Sequence, residues 1–377
     1  MSKILHVVNI SFVLPYYIGD QFDYFRKKDY DLFVACTPSE HLFSYGLEKG
    51  FKTFGVNILR AINPVADIKA ICILVRIIKN NNIDIVIGHT PKGAMIAMIA
   101  ASIAGVKQRI YFRHGLMYET STGLKKKLLI GIEKLTGRLA KRVVCVSNSV
   151  INKSIKLNLN KPDKNILLNK GTCNGINLNR MLPLLGKDQK LLEQLGIAVN
   201  DRVIGYVGRL VNDKGINELL EAWRLITSQY NNVKLLLVGP FEERDSISEA
   251  TKEIMNTTGT IIHTGLINDV VPYYNVMDVF ILPSYREGFP TVVLEASAMR
   301  LPVITTRSTG CVDSIVEEHT GIFTEISSSA IAEALKYYLA NPDIARQHGI
   351  NGRKFVEDNF NQEIIWKEIE SKVLKLT

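Results

Sequence analysis

Residues 285–295 read Tyr285-Arg286-Glu287-Gly288-Phe289-Pro290-Thr291-Val292-Val293-Leu294-Glu295. The apolar run at 279–282 directly before this stretch predicts a buried strand, and Gly288 with Pro290 predicts a loop. The pattern from Thr291 to Met299 then predicts a helix. A strand end and a helix start therefore meet here, as they do in open α/β sheets that bind ligands at the carboxyl ends of their strands.

Two carboxylates flank the predicted helix start. Glu287 lies in the loop, and Glu295 lies eight positions later on the second turn of the helix. The first backbone N–H groups of a helix have no acceptor within it, and together with the helix dipole they favour a phosphate. A phosphate site between two acids suits a ligand with a central diphosphate and hydroxyl-rich groups at both ends. The sequence therefore predicts a nucleotide-sugar site.

Short apolar runs alternate with helical patterns along the whole chain. The predicted strands are 4–8, 32–35, 83–87, 109–112 and 143–146, then 203–207, 234–238, 260–263, 279–282 and 303–305. The predicted helices are 68–78, 92–104, 124–139, 216–226, 246–255, 291–299 and 329–339. This double alternation predicts an α/β fold of two doubly wound, Rossmann-like domains that face each other across a cleft.

The predicted domain limits follow from the same pattern. The first domain covers 1–170 and the second covers 201–359, with a linker region at 171–200 where Asn, Gly, Pro and Lys cluster. A final helix at about 360–377 has no strand after it. We expect that helix to pack back on the first domain.

The net charge of +9 is unevenly distributed. Residues 51–170 hold 21 Lys and Arg against 5 Asp and Glu, whereas residues 201–377 hold 17 against 24. The basic part suggests an anionic partner, such as an anionic membrane surface or a phosphorylated acceptor, and a merely solvated basic face is the alternative. No nucleic acid is expected, because no RNP, helix-turn-helix or zinc-finger pattern is present.

Cysteine usage and hydropathy indicate the compartment. The 5 cysteines are scattered without metal-type spacing, which predicts reduced thiols in a cytoplasmic protein. Residues 3–9 resemble a first strand rather than a signal peptide, and the longest apolar stretch, 94–106, is too short to span a bilayer. We expect a cytoplasmic protein that can be peripheral on the inner face of the cytoplasmic membrane. The sequence specifies no oligomeric state.

A second phosphate-binding pattern opens the second domain. The predicted strand 203–207 ends on Gly208, and Arg209 and Lys214 follow before the next helix. An arginine can hold a diphosphate through two parallel hydrogen bonds, and a lysine can hold it as a point charge. We place both cations at the diphosphate, although a Gly-Arg pair after a strand also occurs as a simple turn.

The second half resembles the donor domain of the family-4 glycosyltransferases, retaining enzymes of the GT-B fold. Several motifs that carry the resemblance occur in order: Gly208-Arg209-Leu210, Lys214-Gly215, Leu237-Val238-Gly239, Thr264-Gly265-Leu266, Pro283-Ser284, Glu287-Gly288-Phe289-Pro290 and Glu295-Ala296. Many spaced motifs in the right order make this resemblance specific.

The resemblance implies a role for each matching residue. Arg209 and Lys214 hold the donor diphosphate, Glu287 contacts the transferred sugar, and Glu295 binds the ribose. The implied donor-binding residues are Gly208, Arg209, Lys214, Gly239, Leu266, Glu287, Gly288, Phe289, Pro290, Thr291, Val292 and Glu295. Thr291 and Val292 contribute their backbone N–H groups at the helix start.

The first half resembles the acceptor domain of bacterial members of this family. His89-Thr90-Pro91-Lys92-Gly93 and Arg113-His114-Gly115 each follow a predicted strand. The resemblance places His114 near the reacting centre, as a catalytic residue beside Glu287, Arg209 and Lys214. We expect His89, Lys92 and Arg113 on the acceptor side, and a satisfied structural role is the alternative for the histidines.

The loop after the first strand departs from the family pattern. Many members carry a Gly-Gly pair there, whereas in this chain only Gly19 is a candidate contact between Ser11 and Asp20. We group Gly19 with the acceptor-side residues, and sugar contacts from this loop stay open.

A basic helical pattern covers residues 124–142. Its seven cations are Lys125, Lys126, Lys127, Lys134, Arg138, Lys141 and Arg142. The pattern fits a helix that lies on an anionic membrane surface. It fits equally a helix that packs on its own sheet with a solvated basic face, and the two interpretations are compatible.

The expected chemistry needs neither a metal ion nor a cofactor, since the UDP-sugar is itself the substrate. No Asp-x-Asp signature is present, and Arg209, Lys214 and the helix start can neutralise a leaving diphosphate. The resemblance implies retention of anomeric configuration. We expect a same-face displacement in which the leaving phosphate accepts the proton of the acceptor while Glu287 positions the sugar.

The expected reaction is transfer of a hexose or N-acetylhexosamine from a UDP-sugar to a polyprenyl-diphosphate-linked glycan, in bacterial surface polysaccharide (capsule or O-antigen) or glycan biosynthesis. One alternative is a soluble glycosyltransferase that acts on a small metabolite. Another is a catalytically silent nucleotide-sugar-binding subunit. That alternative predicts loss of Glu287, Arg209 or Lys214, and all three residues are present.

Overall fold

The structure is a computed structural model that describes residues 1–375, apart from the side chain at position 244. The chain divides into two compact units. Unit 1 consists of Met1–Gly175 and the C-terminal segment that begins at Gln362, and unit 2 is Ile176–Asn361. The change from unit 1 to unit 2 therefore falls within the segment 171–200.

Unit 1 is built on a sheet of seven parallel strands in the order β3-β2-β1-β4-β5-β6-β7. Its strands are β1 (Ser2–Val7), β2 (Tyr30–Cys36), β3 (Lys52–Gly55), β4 (Ile85–Gly88), β5 (Gln108–Arg113), β6 (Arg142–Cys145) and β7 (Asn165–Leu167). The helices between them are α1 (Leu14–Tyr17), α2 (Gln21–Arg26), α3 (Glu40–Lys49), α4 (Pro64–Asn80), α5 (Pro91–Ile103), α6 (Gly123–Leu139) and α7 (Asn148–Lys156).

Unit 2 is built on a sheet of six parallel strands in the order β10-β9-β8-β11-β12-β13. Its strands are β8 (Arg202–Val207), β9 (Val233–Val238), β10 (Ile261–His263), β11 (Val279–Leu282), β12 (Val303–Thr306) and β13 (Gly321–Thr324). Its helices are α8 (Gln189–Gln194), α9 (Ile216–Thr227), α10 (Glu249–Thr257), α11 (Val271–Val276), α12 (Thr291–Ala298), α13 (Ser328–Ala340) and α14 (Pro342–Phe360).

The two sheets confirm the predicted fold of two doubly wound, parallel α/β layers. Central strands such as β4 and β11 are buried along their whole length, as parallel strands covered by helices on both faces must be. Helix starts follow local capping chemistry. The side chains of Ser39 and Asn63, for example, accept the backbone N–H groups of Leu42 and Ala66.

Three strands were not expected from the sequence, and all three are sheet edges. They are β3, β7 and β13. An edge strand buries less of its surface than a central one, so it lacks a continuous apolar run. Helix α14 was also missed, because several residues on its buried face are small, including Gly349 and Gly352.

The C-terminal segment contacts unit 1 through hydrogen bonds. Helix α15 (Gln362–Glu368) leads into a π-helical turn, Ile369–Leu374. The Trp366 indole N–H lies 3.0 Å from the Asn174 carbonyl oxygen, and the Glu368 carboxylate accepts the backbone N–H of Asn169. The last two residues of the helix predicted at 360–377 lie outside the described part.

None of the helices within residues 1–375 is both long enough and apolar enough to cross a bilayer.

Candidate active site

The loops after β8 and β11 are joined directly in unit 2. The Asp213 carbonyl oxygen accepts the Tyr285 backbone N–H at 3.0 Å and the Ser284 hydroxyl at 3.2 Å. The Asp213 carboxylate also binds the Arg286 guanidinium at 3.0 Å. The two segments predicted to bind a diphosphate therefore lie next to each other at the carboxyl ends of neighbouring strands.

Lys214 and Glu287 form an ion pair at the centre of this junction. Only 14% of the Lys214 side chain and 16% of the Glu287 side chain are exposed, so both groups are partly shielded from water. The Glu287 backbone N–H donates to the Thr309 carbonyl oxygen at 2.9 Å, which fixes the loop that carries the carboxylate. Lys214 and Glu287, which this ion pair brings together, are two of the predicted catalytic residues.

The loop after β12 closes on the same residues and requires a glycine. Gly310 has φ +80°, and a Cβ at this position would lie 2.5 Å from the Gly288 carbonyl oxygen. A side chain would displace the 287–288 backbone. Gly310 was not identified from the sequence, because its importance comes from a contact with a distant segment.

Arg209 lies at the end of β8 with half of its side chain exposed, and it pairs with Glu242. The hydroxyl of the buried Tyr206 donates to the Arg209 carbonyl oxygen at 2.8 Å. The pKa of Tyr206 lies well above its ordinary value, chiefly because of burial and next because of the negative charge of Glu287, while Arg209 opposes the shift. The charges of Arg209 and Glu287 therefore have opposite effects on the pKa of the same phenol group. Glu242 was not identified from the sequence, because it lies in no recognisable motif.

Glu295 points toward a tyrosine that the sequence did not reveal. The Tyr274 hydroxyl on α11 donates to the Glu295 carboxylate at 2.9 Å. Burial raises the pKa of Glu295, and the Tyr274 hydrogen bond and the charge of Arg180 oppose that rise. The carboxylate is thus oriented by Tyr274 and remains an acceptor for a further hydroxyl.

Helix α12 carries Glu295 and begins one turn before it, with Pro290 as its N-cap. The Pro290 carbonyl oxygen accepts the Val293 N–H at 3.0 Å. Thr291 and Val292 occupy the first helical positions, and their N–H groups have no acceptor within the helix. The Phe289 ring packs on Phe360 with ring centroids 5.4 Å apart, which anchors the loop before the helix.

The remaining donor-side predictions lie at the ends of β8, β9 and β10. The Gly208 N–H donates to the Val238 carbonyl oxygen at 2.9 Å, and Gly239 accepts a hydrogen bond from the His263 ring at 2.8 Å. Leu266 is exposed. The structure therefore places Gly208 and Gly239 side by side at the carboxyl edge of the sheet, with Leu266 on the surface.

Three histidines form a hydrogen-bonded row in unit 1. His6 Nδ1 lies 3.0 Å from His89 Nε2, and His89 Nδ1 lies 2.9 Å from His114 Nε2. The Tyr17 ring stacks on His114 with ring centroids 3.6 Å apart. His114 is partly exposed, whereas His6 and His89 are buried. The prediction of His89 as a direct acceptor contact conflicts with its burial, since both of its ring nitrogens are already bonded.

Arg113 is buried within unit 1, whereas the sequence placed it on the acceptor side. Its guanidinium binds Glu133 at 2.9 Å, Ser154 at 2.5 Å and Asn160 at 2.9 Å. The side chain is fully enclosed, and its Nη2 has no hydrogen-bond partner among the described residues. A buried arginine needs an anionic partner, which Glu133 provides, so Arg113 holds β5 to α6 and α7.

Lys92 and Gly19 are also enclosed, whereas the sequence placed both on the acceptor side. The Lys92 ammonium binds Asp67 at 2.5 Å, and only 9% of the Lys92 side chain is exposed. Gly19 has φ +51°, and a Cβ there would lie 2.6 Å from the Pro15 carbonyl oxygen. The Lys92–Asp67 pair joins α5 to α4, and Gly19 allows the chain to turn after α1.

The described residues contain no group of three or more His, Cys, Asp and Glu side chains that could hold a metal ion.

Both halves of the chain match known protein families. Residues 3–147 match the family Glycosyl transferase 4-like, and residues 187–355 match Glycosyl transferases group 1. The chain is similar to a solved structure of Anabaena Alr3699/HepE in complex with UDP and glucose, with a TM-score of 0.83 over 100% of both chains and 16% sequence identity. That likeness shows the fold.

Two curated relatives extend over most of the chain. The capsular polysaccharide biosynthesis glycosyltransferase CapM of Staphylococcus aureus is 35% identical over 98% of this chain and 96% of its own length. A UDP-Gal:alpha-D-GlcNAc-diphosphoundecaprenol alpha-1,3-galactosyltransferase of Escherichia coli is 28% identical over 81% of this chain and 79% of its own. The chain therefore belongs to the group 1 glycosyltransferases of the GT-B fold.

Proposed function

We propose that this glycosyltransferase transfers a hexose or N-acetylhexosamine from a UDP-sugar to a polyprenyl-diphosphate-linked glycan during assembly of a bacterial surface polysaccharide or glycan. The observation that carries the proposal is the Lys214–Glu287 pair beside the start of α12. The capsular polysaccharide pathway in the name of CapM supports the pathway, and the reaction in the name of the E. coli galactosyltransferase supports the substrate classes.

The donor diphosphate is proposed to bind between Arg209, Lys214 and the N–H groups of Thr291 and Val292. Three sources of positive potential then surround the group that leaves, and they need no reorganisation during the reaction. When the phosphate engages Lys214, the carboxylate of Glu287 becomes available to a sugar hydroxyl. Glu295, held by Tyr274, accepts from the ribose.

The reaction is proposed to retain anomeric configuration and to need no metal ion. Glu287 is bound to an ammonium group, so it suits charge stabilisation and hydrogen bonding better than covalent attack. The leaving phosphate then accepts the proton of the acceptor hydroxyl on the same face of the sugar. Arg209, Lys214 and the helix start provide the electrostatic stabilisation that a divalent cation gives in other sites.

A membrane-bound acceptor is supported by the surface of helix α6. Leu124, Leu128 and Leu135 are exposed, and their spacing places them on one face of the helix. The buried residues Glu133 and Thr136 lie on the other side. Four exposed cations flank the leucine stripe, namely Lys125, Lys127, Lys134 and Arg138, while Lys126 is exposed on the opposite side of the helix. Such a face suits the cytoplasmic surface of an anionic bilayer.

Reversing the charge of Lys125, Lys126 and Lys127 to Glu should weaken binding to phosphatidylglycerol vesicles by on the order of 100-fold or more, because each basic residue near such a surface contributes about 1 kcal/mol. Co-sedimentation with vesicles measures this. A matched variant with Lys190, Arg346 and Lys354 changed to Glu alters the net charge equally on unit 2 and should bind normally. Equal binding by both variants would remove α6 from the membrane contact.

The proposed reaction is tested by a transfer assay. Purified protein is given labelled UDP-, GDP- and ADP-hexoses with a polyprenyl-diphosphate-linked glycan as acceptor. Label entering the lipid phase from a UDP-sugar supports the proposal.

A further inference from the structure

The three-histidine row crosses neighbouring strands of unit 1. His6 lies on β1, His89 directly follows β4 and His114 directly follows β5, and these strands are adjacent in the order β1-β4-β5. The hydrogen bonds of 3.0 Å and 2.9 Å connect the three rings without another residue between them. The row therefore leads from the buried His6 to the partly exposed His114.

Each ring in the row is held in place by its surroundings. The His89 ring packs against Phe112, with ring centroids 5.2 Å apart, and meets the other two histidines edge to edge, with ring centroids 5.2 and 5.3 Å apart. The residue after it, Thr90, has φ +60° and ψ 148°, a strained conformation for a residue with a side chain. Strain of this kind persists only where the surrounding structure determines it.

All three rings are neutral near pH 7. Burial lowers the pKa of His6 and of His114 to about 3, and it lowers the pKa of His89 well below its ordinary value, an effect to which the two neighbouring rings add. A neutral imidazole has one N–H donor and one bare acceptor nitrogen. His89 can therefore donate to only one neighbour and must accept from the other, so the tautomers of all three rings are coupled.

Only two arrangements satisfy both hydrogen bonds. In the first, His6 Nδ1–H donates to His89 and His89 Nδ1–H donates to His114, which leaves the His114 proton on Nδ1. In the second, both hydrogen bonds run in the opposite direction. His114 Nε2–H donates to His89, His89 Nε2–H donates to His6, and His6 carries its own N–H on Nε2. That N–H would lie on the buried His6, whereas the first arrangement leaves its free N–H on the partly exposed His114, where water or a ligand can accept it. The first arrangement is favoured.

We propose that His6 and His89 are positioning residues that fix the tautomer of His114, so that His114 Nδ1 presents an N–H donor to the oxygen of a sugar hydroxyl. This inference rests on the proposed function for the sugar ligand, and on unit 1 alone for the tautomer. Tyr17, stacked on His114, keeps that ring at the angle the row requires.

The tautomer is measured by nitrogen-15 NMR of protein labelled at its 7 histidines, in which two-bond couplings to ring protons distinguish Nδ1–H from Nε2–H. The signal that disappears in His114→Gln identifies His114. In the wild-type protein His114 is expected as the Nδ1–H tautomer, and in His6→Phe that preference should be lost. His6→Asn, whose amide can replace the donor at Nδ1, should restore it.

The kinetic arm uses the transfer assay. His6→Phe should lower kcat about tenfold or more with little change in the KM for the donor, and His6→Asn should recover most of the rate. His41→Phe, an exposed histidine of unit 1, is the matched control and should leave kcat unchanged.

Two results would overturn the proposal: an Nε2–H tautomer of His114 in the wild-type protein, or an unchanged kcat in a folded His6→Phe variant. A failure of the proposed function is distinguishable, because wild-type protein without transfer activity would still give the tautomer of His114 by NMR.

Discussion

Glu287→Gln is expected to lower the turnover number by about 10²–10³-fold, the loss typical when one preorganised electrostatic group is removed from a site. The substitution preserves the size of the side chain and removes its charge. It also leaves the Lys214 ammonium without its partner, so donor binding should be kept while the reacting sugar loses its orientation and its stabilisation. Initial rates of transfer at saturating donor measure the effect.

The control for this variant is Glu317→Gln. Glu317 is an exposed acid of unit 2 that pairs with Arg307, and exposed pairs contribute little to stability. Both variants should melt near the wild-type temperature, and Glu317→Gln should turn over normally. A folded Glu287→Gln enzyme with the wild-type rate would exclude Glu287 from the reaction.

Arg209→Ala is expected to weaken UDP binding by about 10–100-fold, because a hydrogen bond to a charged group contributes about 1.5–3 kcal/mol. Its loss also leaves Glu242 unpaired, and that negative charge would repel a diphosphate. Isothermal titration calorimetry with UDP measures the affinity.

A second variant separates the two causes. Arg209→Ala combined with Glu242→Gln removes the unpaired carboxylate, so any affinity that it recovers belongs to repulsion rather than to lost contact. Arg307→Ala removes an exposed arginine of the same unit and should bind UDP normally. An unchanged affinity in Arg209→Ala would place the diphosphate elsewhere.

The donor half of the site could be predicted from sequence because its chemistry is concentrated in short loops. Gly208, Arg209 and Lys214 follow one strand, and the stretch from Glu287 to Glu295 follows the next strand in the sheet. Glycine, proline and charged residues mark such loops clearly. Their junction through Asp213 was not visible, because it depends on which strands are neighbours.

Tyr274, Glu242 and Gly310 were missed for a related reason. Each acts through a residue far away in the chain: Tyr274 on Glu295, Glu242 on Arg209, and Gly310 on the backbone of Gly288. None of them stands in a motif that could reveal its partner. Only the folded unit brings these residues into contact.

Two residues that the sequence placed on the acceptor side are buried in the structure. Arg113 and Lys92 carry charges next to strand ends, which favours a cleft position, yet both are enclosed with carboxylates from helices. Glu133 is the single acid of α6 and Asp67 is the single acid of α4, and neither helix shows from sequence which polar residue turns inward. Charge at a strand end is therefore weak evidence for a ligand contact until the partners are known.

The most direct test of the account is transfer of label from a UDP-sugar to a polyprenyl-diphosphate-linked glycan by purified protein, in buffer that contains EDTA. The account predicts that label enters the lipid phase from a UDP-hexose or UDP-N-acetylhexosamine, that GDP- and ADP-sugars give none, and that Glu287→Gln abolishes most of the signal. Label that never enters the lipid phase with any donor, or that reaches only small soluble acceptors, would contradict it.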